Sequence, residues 1–256
     1  MRNTTMFLTL IGFLGLLLTP LQAAEKCAGC PHAATCPAAK KCSTTECSAG
    51  EKCGADFKQA VELFNGKNLD GWTFFLVEDD AKMEDVWSVK DGILICKGEP
   101  HGFLATEKCY EDFQLTVEWR WAPGKEPGNS GVLMRITGDK MMLPNCMEAQ
   151  LKSGDAGALY GFQGFKIDGA ADRKSEVKGH KLGGDLTGVK KIEGAEKEPG
   201  QWNRYDITLK GDKVVVKVNG KKVNEAYGCD VRCGQIGFQS EGGEIHFRKI
   251  TLEPVK

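Results

Sequence analysis

Phe113-Gln114-Leu115-Thr116-Val117-Glu118-Trp119-Arg120-Trp121 is the stretch that decides the fold. Its large apolar residues fall at every second position, with a polar residue between each pair. Side chains of an extended chain point alternately to opposite faces. The pattern therefore sets Phe113, Leu115, Val117, Trp119 and Trp121 on a core face and Gln114, Thr116, Glu118 and Arg120 on a polar one. The same alternation recurs on either side of this strand. Val132, Met134 and Ile136 alternate with Leu133 and Arg135; Met147, Ala149 and Leu151 alternate with Glu148 and Gln150; and Tyr205, Ile207 and Leu209 alternate with Arg204, Asp206 and Thr208.

Val214 to Val218, Asn219-Gly220 and Lys221 to Ala226 read as a hairpin, because Asn-Gly readily takes the positive φ angles of a type I′ turn. Closing strands are expected at Gln235 to Gln239 and Glu244 to Leu252, forming a terminal hairpin through Glu241-Gly242-Gly243. Only Phe57 to Phe64 resembles a helical turn. Lys166 to Gly200 is rich in Gly and charge and poor in aromatics, and is expected to be a long surface excursion. Short antiparallel strands with little helix predict an all-β, two-sheet antiparallel sandwich or jelly roll over residues 57–256.

The chain has 256 residues, with 34 Lys and Arg against 35 Asp and Glu. No basic surplus exists to neutralise a phosphate backbone, which argues against nucleic acid as a partner. No Gly-x-Gly-x-x-Gly or phosphate loop follows a strand, which argues against a nucleotide enzyme. Arg2, the apolar run Met6 to Leu18, the break at Thr19-Pro20 and the small residues Ala23-Ala24 read as a signal peptide over residues 1–24. That run is too short to span a bilayer, so no membrane span is expected in the mature protein. Its expected location is exported: periplasmic, secreted or at the cell surface. Residues 25–56 hold Cys27, Cys30, Cys36, Cys42, Cys47 and Cys53 and form a Cys-rich segment or linker. In an oxidising compartment these predict local disulfides, with a metal knuckle at Cys27-x-x-Cys30 and His32 as the rival reading. Cys229 and Cys233 are spaced to bridge, or to lie as buried thiols.

Leu63-Phe64-Asn65-Gly66-Lys67-Asn68-Leu69-Asp70-Gly71-Trp72 resembles the opening motif of the 3-keto-disaccharide hydrolase domain, a concanavalin-like, lectin-like jelly roll of exported bacterial proteins. The likeness continues through Trp87-x-Val89-x-Asp91-Gly92, Glu118-Trp119-Arg120, Asn129-Ser130-Gly131-Val132-x-x-Arg135 and Glu148-x-Gln150. It ends with Gly157-Ala158-Leu159-Tyr160-Gly161, Gly234-x-Ile236-Gly237-Phe238-Gln239 and Phe247-Arg248-x-Ile250, so it covers about residues 61 to 253. One departure stands out. Many relatives carry a His where this chain has Glu241, in Phe238-Gln239-Ser240-Glu241-Gly242.

The resemblance implies cleavage of a glycosidic bond in a sugar already oxidised to a ketone at C3. The ketone acidifies the C2 hydrogen, so a base can remove it while the aglycone leaves C1. That chemistry needs a positioned base and an electrophile for the enolate. Glu148, Arg135 and Glu118 are the expected catalytic residues, with Glu148 as base and Arg135 or a divalent cation as electrophile. Glu118, Glu148 and His101 are the candidate ligands of such a cation. Asn129, Ser130, Gln150, Tyr160 and Gln239 are the expected substrate-binding residues. The partner is then an oxidised carbohydrate, supplied by an upstream sugar oxidoreductase. Two alternatives remain open: a two-carboxylate glycosidase and a noncatalytic, lectin-like carbohydrate-binding module at the cell surface.

Overall fold

The structure is a computed structural model that describes residues 57–255. The expected signal peptide and Cys-rich segment lie outside the described residues. In chain order the elements are β1 (Val61–Glu62), β2 (Trp72–Leu76), α1 (Met83–Val86), β3 (Trp87–Lys90), β4 (Ile93–Cys96), β5 (Gly102–Thr106) and β6 (Phe113–Trp121). They continue with β7 (Gly131–Thr137), β8 (Asn145–Gln150), β9 (Leu159–Phe162), β10 (Lys174–His180) and β11 (Gly184–Val189). The last are β12 (Asn203–Lys210), β13 (Lys213–Val218), β14 (Lys221–Ala226), β15 (Gln235–Ser240) and β16 (Ile245–Glu253).

These strands build two antiparallel sheets. The first runs β14-β13-β12-β6-β16-β4-β3, with β1 added to β16; the second runs β10-β11-β9-β8-β7-β15-β5-β2. β6 is central to the first sheet, and its alternation holds: Phe113, Leu115, Val117 and Trp119 are fully buried in the main core. Burying each such side chain contributes on the order of 1.5–3 kcal/mol. Val132, Met134, Met147, Ala149, Ile236 and Phe238 of the second sheet belong to the same core. The protein is thus an all-β jelly roll. Among the described residues no helix is long and apolar enough to cross a membrane.

The hairpin at Asn219-Gly220 forms as expected, with φ of 51° and 81° at the two turn residues. Three other readings change, and one open alternative is resolved. Phe57 to Phe64 is not helical; it contains the short strand β1. The excursion from Lys166 to Gly200 contributes β10 and β11, which extend the edge of the second sheet. The closing strands do not pair with each other: β15 lies between β7 and β5, whereas β16 lies in the opposite sheet. Glu241-Gly242-Gly243 is therefore a crossing between sheets, made feasible by positive φ at Gly242 and Gly243. Cys229 is a free, buried thiol, so it makes no bridge to Cys233.

The expected alternation of β7 also fails beyond Met134. Arg135 takes φ of 56°, and the pairing with β8 shifts register between Met134 and Thr137. A bulge of this kind changes the phase of the strand. Ile136 consequently leaves the face of Val132 and Met134 and joins Leu133, Phe103, Ala105, Leu143, Cys146 and Phe162 in a second apolar cluster. This cluster covers the other face of the second sheet. It makes β7 and β8 nearly continuous in burial, where a half-solvated polar face was expected.

Candidate functional site

The site begins at a residue with no side chain. Gly131 opens β7, facing Gln150 of β8, while Phe238 of β15 faces Val132. Gln239 and Glu148 thus flank the start of β7 from its two neighbours. A Cβ on Gly131 would land on Glu148 Oε1 and Gln239 Oε1. Glycine is what lets the two side chains meet above the strand. Ser130, immediately before, is fully buried and donates from Oγ to the Gln239 carbonyl at 2.8 Å, which fixes β15 against the loop.

Above Gly131 lies a pocket of about 150 Å³, lined by Asn129, Leu143, Glu148, Gln150, Tyr160, Phe162, Leu186 and Glu241. It is smaller than the roughly 300–1,000 Å³ of sites for drug-sized ligands, and is on the scale of a single sugar ring. Tyr160 and Phe162 stack with their rings 4° from parallel and form one wall. The polar groups are arranged unusually for a protein interior. Glu148 Oε1, both side-chain amide atoms of Gln239, and Asn129 Oδ1 are buried without a hydrogen-bond partner. Each such group costs on the order of 1–3 kcal/mol of desolvation. Four of the nine such atoms among the described residues gather here, where a ligand or water can supply the partners.

Glu148 is 1% exposed. Burial pushes its carboxyl well above the usual range, and the Glu241 and Asp155 carboxylates push it the same way. Burial also raises Glu241, against the pull of His101 and Lys152. Burial raises the Tyr160 phenol, which Asp155 and Glu148 raise further. The arrangement can donate and accept protons and hydrogen bonds around a small polar ligand that excludes water.

The expected site residues separate into three groups. Glu148, Asn129, Gln150 and Tyr160 line the pocket, and Gln239 and Ser130 adjoin Glu148 through Gly131. Gln150 has a structural task as well, since its Oε1 accepts from the amides of Leu151 and Lys152. His101 is exposed near the rim, acting on Glu241 through its charge. Two residues lie elsewhere. Glu118 is on β6 of the first sheet, where its carboxylate accepts a 2.7 Å hydrogen bond from Arg248 Nε. Arg135, 0% exposed, is turned by the bulge into a nest of backbone carbonyls from Glu111, Gly211 and Asp230, with Asp112 Oδ1 at 3.2 Å. Its donors are spent on the fold, so it is not the electrophile expected from the sequence.

The expected ligands Glu118, Glu148 and His101 do not converge, because Glu118 belongs to the opposite sheet. Among the described residues no group of three or more His, Cys, Asp or Glu side chains is placed to hold a metal ion. The cation set read from the sequence therefore does not fit this site. Trp72 and Trp87 are core residues, and Trp202 is covered by the Arg120 and Arg248 guanidinium groups at 4.6 and 4.1 Å. Sequence reasoning missed the apolar lining residues Leu143, Phe162 and Leu186 and one polar residue, Glu241. Its signal was the departure from the expected His, the one position where the motif changes from an imidazole to a carboxyl.

Comparison with known proteins places the fold among carbohydrate-related jelly rolls. A candidate glycosyl hydrolase from Parabacteroides distasonis ATCC 8503 is 22% identical, with a TM-score of 0.55, covering 77% of this chain and 94% of its own. A second from the same organism is 25% identical, with a TM-score of 0.53, covering 77% of this chain and 100% of its own. The carbohydrate-binding module CBM66 from Bacillus subtilis is 13% identical, with a TM-score of 0.50, covering 72% of this chain and 96% of its own. No curated protein sequence matched. The 3-keto-alpha-glucoside-1,2-lyase-like domain matches residues 59–253, and the chain belongs to that family.

Proposed function

We propose that the protein is an exported enzyme that cleaves 3-keto-glycosides by proton transfer at C2 and elimination or hydrolysis at C1. The observation that carries this reading is the set of unpartnered buried groups around one pocket: Glu148 Oε1, the Gln239 amide and Asn129 Oδ1. A sugar ring presents hydroxyl and carbonyl groups on all sides and can satisfy all of them at once. The Gln239 amide N–H donates to the ketone oxygen, where charge develops when C2 loses its proton. Gln239 Oε1 and Asn129 Oδ1 accept from ring hydroxyls, and Tyr160 lies against a sugar face.

Glu148 is the proton-transfer group. Its raised pKa brings it towards the range in which a carboxyl exchanges protons effectively near neutral pH. The burial of Glu148 and Gln239 strengthens each hydrogen bond they make to the enolate. A 3-keto sugar must be supplied by an oxidation, so an oxidoreductase acting on the free glycoside precedes this step.

Incubating the protein with a 3-keto-glucoside and with its unoxidised parent tests the reading. Turnover of the ketone alone is expected. Equal turnover of both indicates a glycosidase that needs no ketone, and binding of either without cleavage indicates a carbohydrate-binding module.

A further inference from the structure

Two carboxyl groups line the pocket, and the reading above uses only Glu148. Glu241 stands at the start of the crossing between sheets, and its backbone setting is rigid. The Gly242 N–H donates to the Gly98 carbonyl at 2.8 Å, and the Gly242 carbonyl accepts from the Asn129 N–H at 2.8 Å. Gly128 and Gly243 pack so closely that neither has room for a Cβ. The loop that presents Asn129 and the link that presents Glu241 are thus fastened together at the pocket mouth.

The charges around the two carboxyls differ in sign. Glu241 faces Lys152 and His101, which favour its ionised form against the cost of burial. Glu148, held within β8, feels only the carboxylates of Glu241 and Asp155. The other ionisable neighbours, Tyr160, Tyr205 and Cys146, are themselves kept protonated chiefly by burial. Two like charges in one partly buried site do not both form readily. As pH rises Glu241 therefore gives up its proton first, and its charge then holds Glu148 protonated.

We propose that Glu148 and Glu241 share a single proton and divide the reaction between them, Glu241 accepting the C2 proton and Glu148 donating to the departing glycosidic oxygen. The substrate in this assignment rests on the function proposed above. The C2–H bond breaks as a Glu241 O–H bond forms, and the electron pair moves to the C3 oxygen as an enolate. The pair then returns to restore the C3 ketone and make the C1=C2 bond while C1–O breaks, and the leaving oxygen takes the Glu148 proton. When water adds to C1, its proton passes to Glu148 and Glu241 returns a proton to C2, which resets both carboxyls.

The test is a pH titration of the glutamate carboxyls by ¹³C NMR in the whole protein, alongside kinetics on a 3-keto-glucoside. Glu241→Gln is expected to lower the titration midpoint of Glu148 and to cut kcat by about 10²-fold or more, with Glu241→Asp recovering part of the rate. An unchanged Glu148 midpoint overturns the shared proton. A wild-type kcat in Glu241→Gln overturns the role of Glu241 in the reaction. Wild-type protein whose carboxyls titrate as a pair but which leaves the 3-keto-glucoside intact overturns the substrate reading and not the shared proton.

Discussion

Arg135 and Glu148 are both charged-type residues with almost no exposure, yet they have opposite relations to their surroundings. Arg135 donates five hydrogen bonds to acceptors supplied by Glu111, Asp112, Gly211 and Asp230. Lysine lacks the planar fork needed to reach them all. Arg135→Lys is expected to lose roughly 1–3 kcal/mol for each carbonyl left unpaired, seen as a lower Tm, while the folded fraction keeps its kcat. Activity lost at unchanged Tm would return Arg135 to the chemistry. Glu148 has the reverse character: its Oε1 has no partner and its carboxyl resists ionisation. Below the unfolded value of about 4.3 both states hold the proton, and the group has no pH-dependent effect. As pH rises above it the unfolded chain releases its proton while the folded carboxyl keeps it, so stability falls until the folded pKa is passed. Glu148→Gln is therefore expected to be inactive and yet more stable than wild type at neutral pH, with the gain vanishing towards pH 4. Denaturant unfolding across that range measures it, and a Gln variant that is less stable at pH 7 than at pH 4, relative to wild type, contradicts the assignment.

Strand by strand, the alternating pattern was read correctly wherever pairing is regular. β12 follows it residue by residue and β6 nearly so, and the Asn219-Gly220 hairpin forms where it was read, with one register shift between Val216 and Lys217. It misled at β7, because a left-handed Arg135 is invisible to a period-two reading, and it mispaired β15 with β16, because adjacency in sequence does not reveal which sheet a strand joins. The meeting of Glu148 and Gln239 depends on that pairing, since β8 and β15 flank β7 from opposite sides. Gly131 is the point where it can be tested. Gly131→Ala keeps the strand but forces the Glu148 and Gln239 side chains aside, and a displacement of about 1 Å can cost 10²-fold. A drop of that order in kcat/KM with little change in Tm is expected. Wild-type kinetics in Gly131→Ala would mean the two side chains do not act together.

For the molecule as a whole, the all-β sandwich and most of the polar pocket residues were legible in the sequence, and the apolar lining and the partition of polar residues between the two sheets were not. Glu118, Arg135 and Glu148 all sit among alternating residues, but only Glu148 lies under the second apolar layer that Leu143, Phe162 and Leu186 build over its sheet. Glu118 faces outward on the other sheet and pairs with Arg248. Burial on a face expected to be solvated is what raises the pKa of this strand carboxylate, and it arises from β9, β11 and the segment before β8 acting together. The central claim is that this covered pocket removes the hydrogen beside a ketone. The direct measurement is cleavage of a 3-keto-glucoside by the wild-type protein in D₂O, with the sugar followed by NMR. Deuterium at C2 of the released sugar, or slower cleavage of a substrate already deuterated at C2, is the expected result; original hydrogen retained at C2 together with equal rates for the two substrates would contradict it.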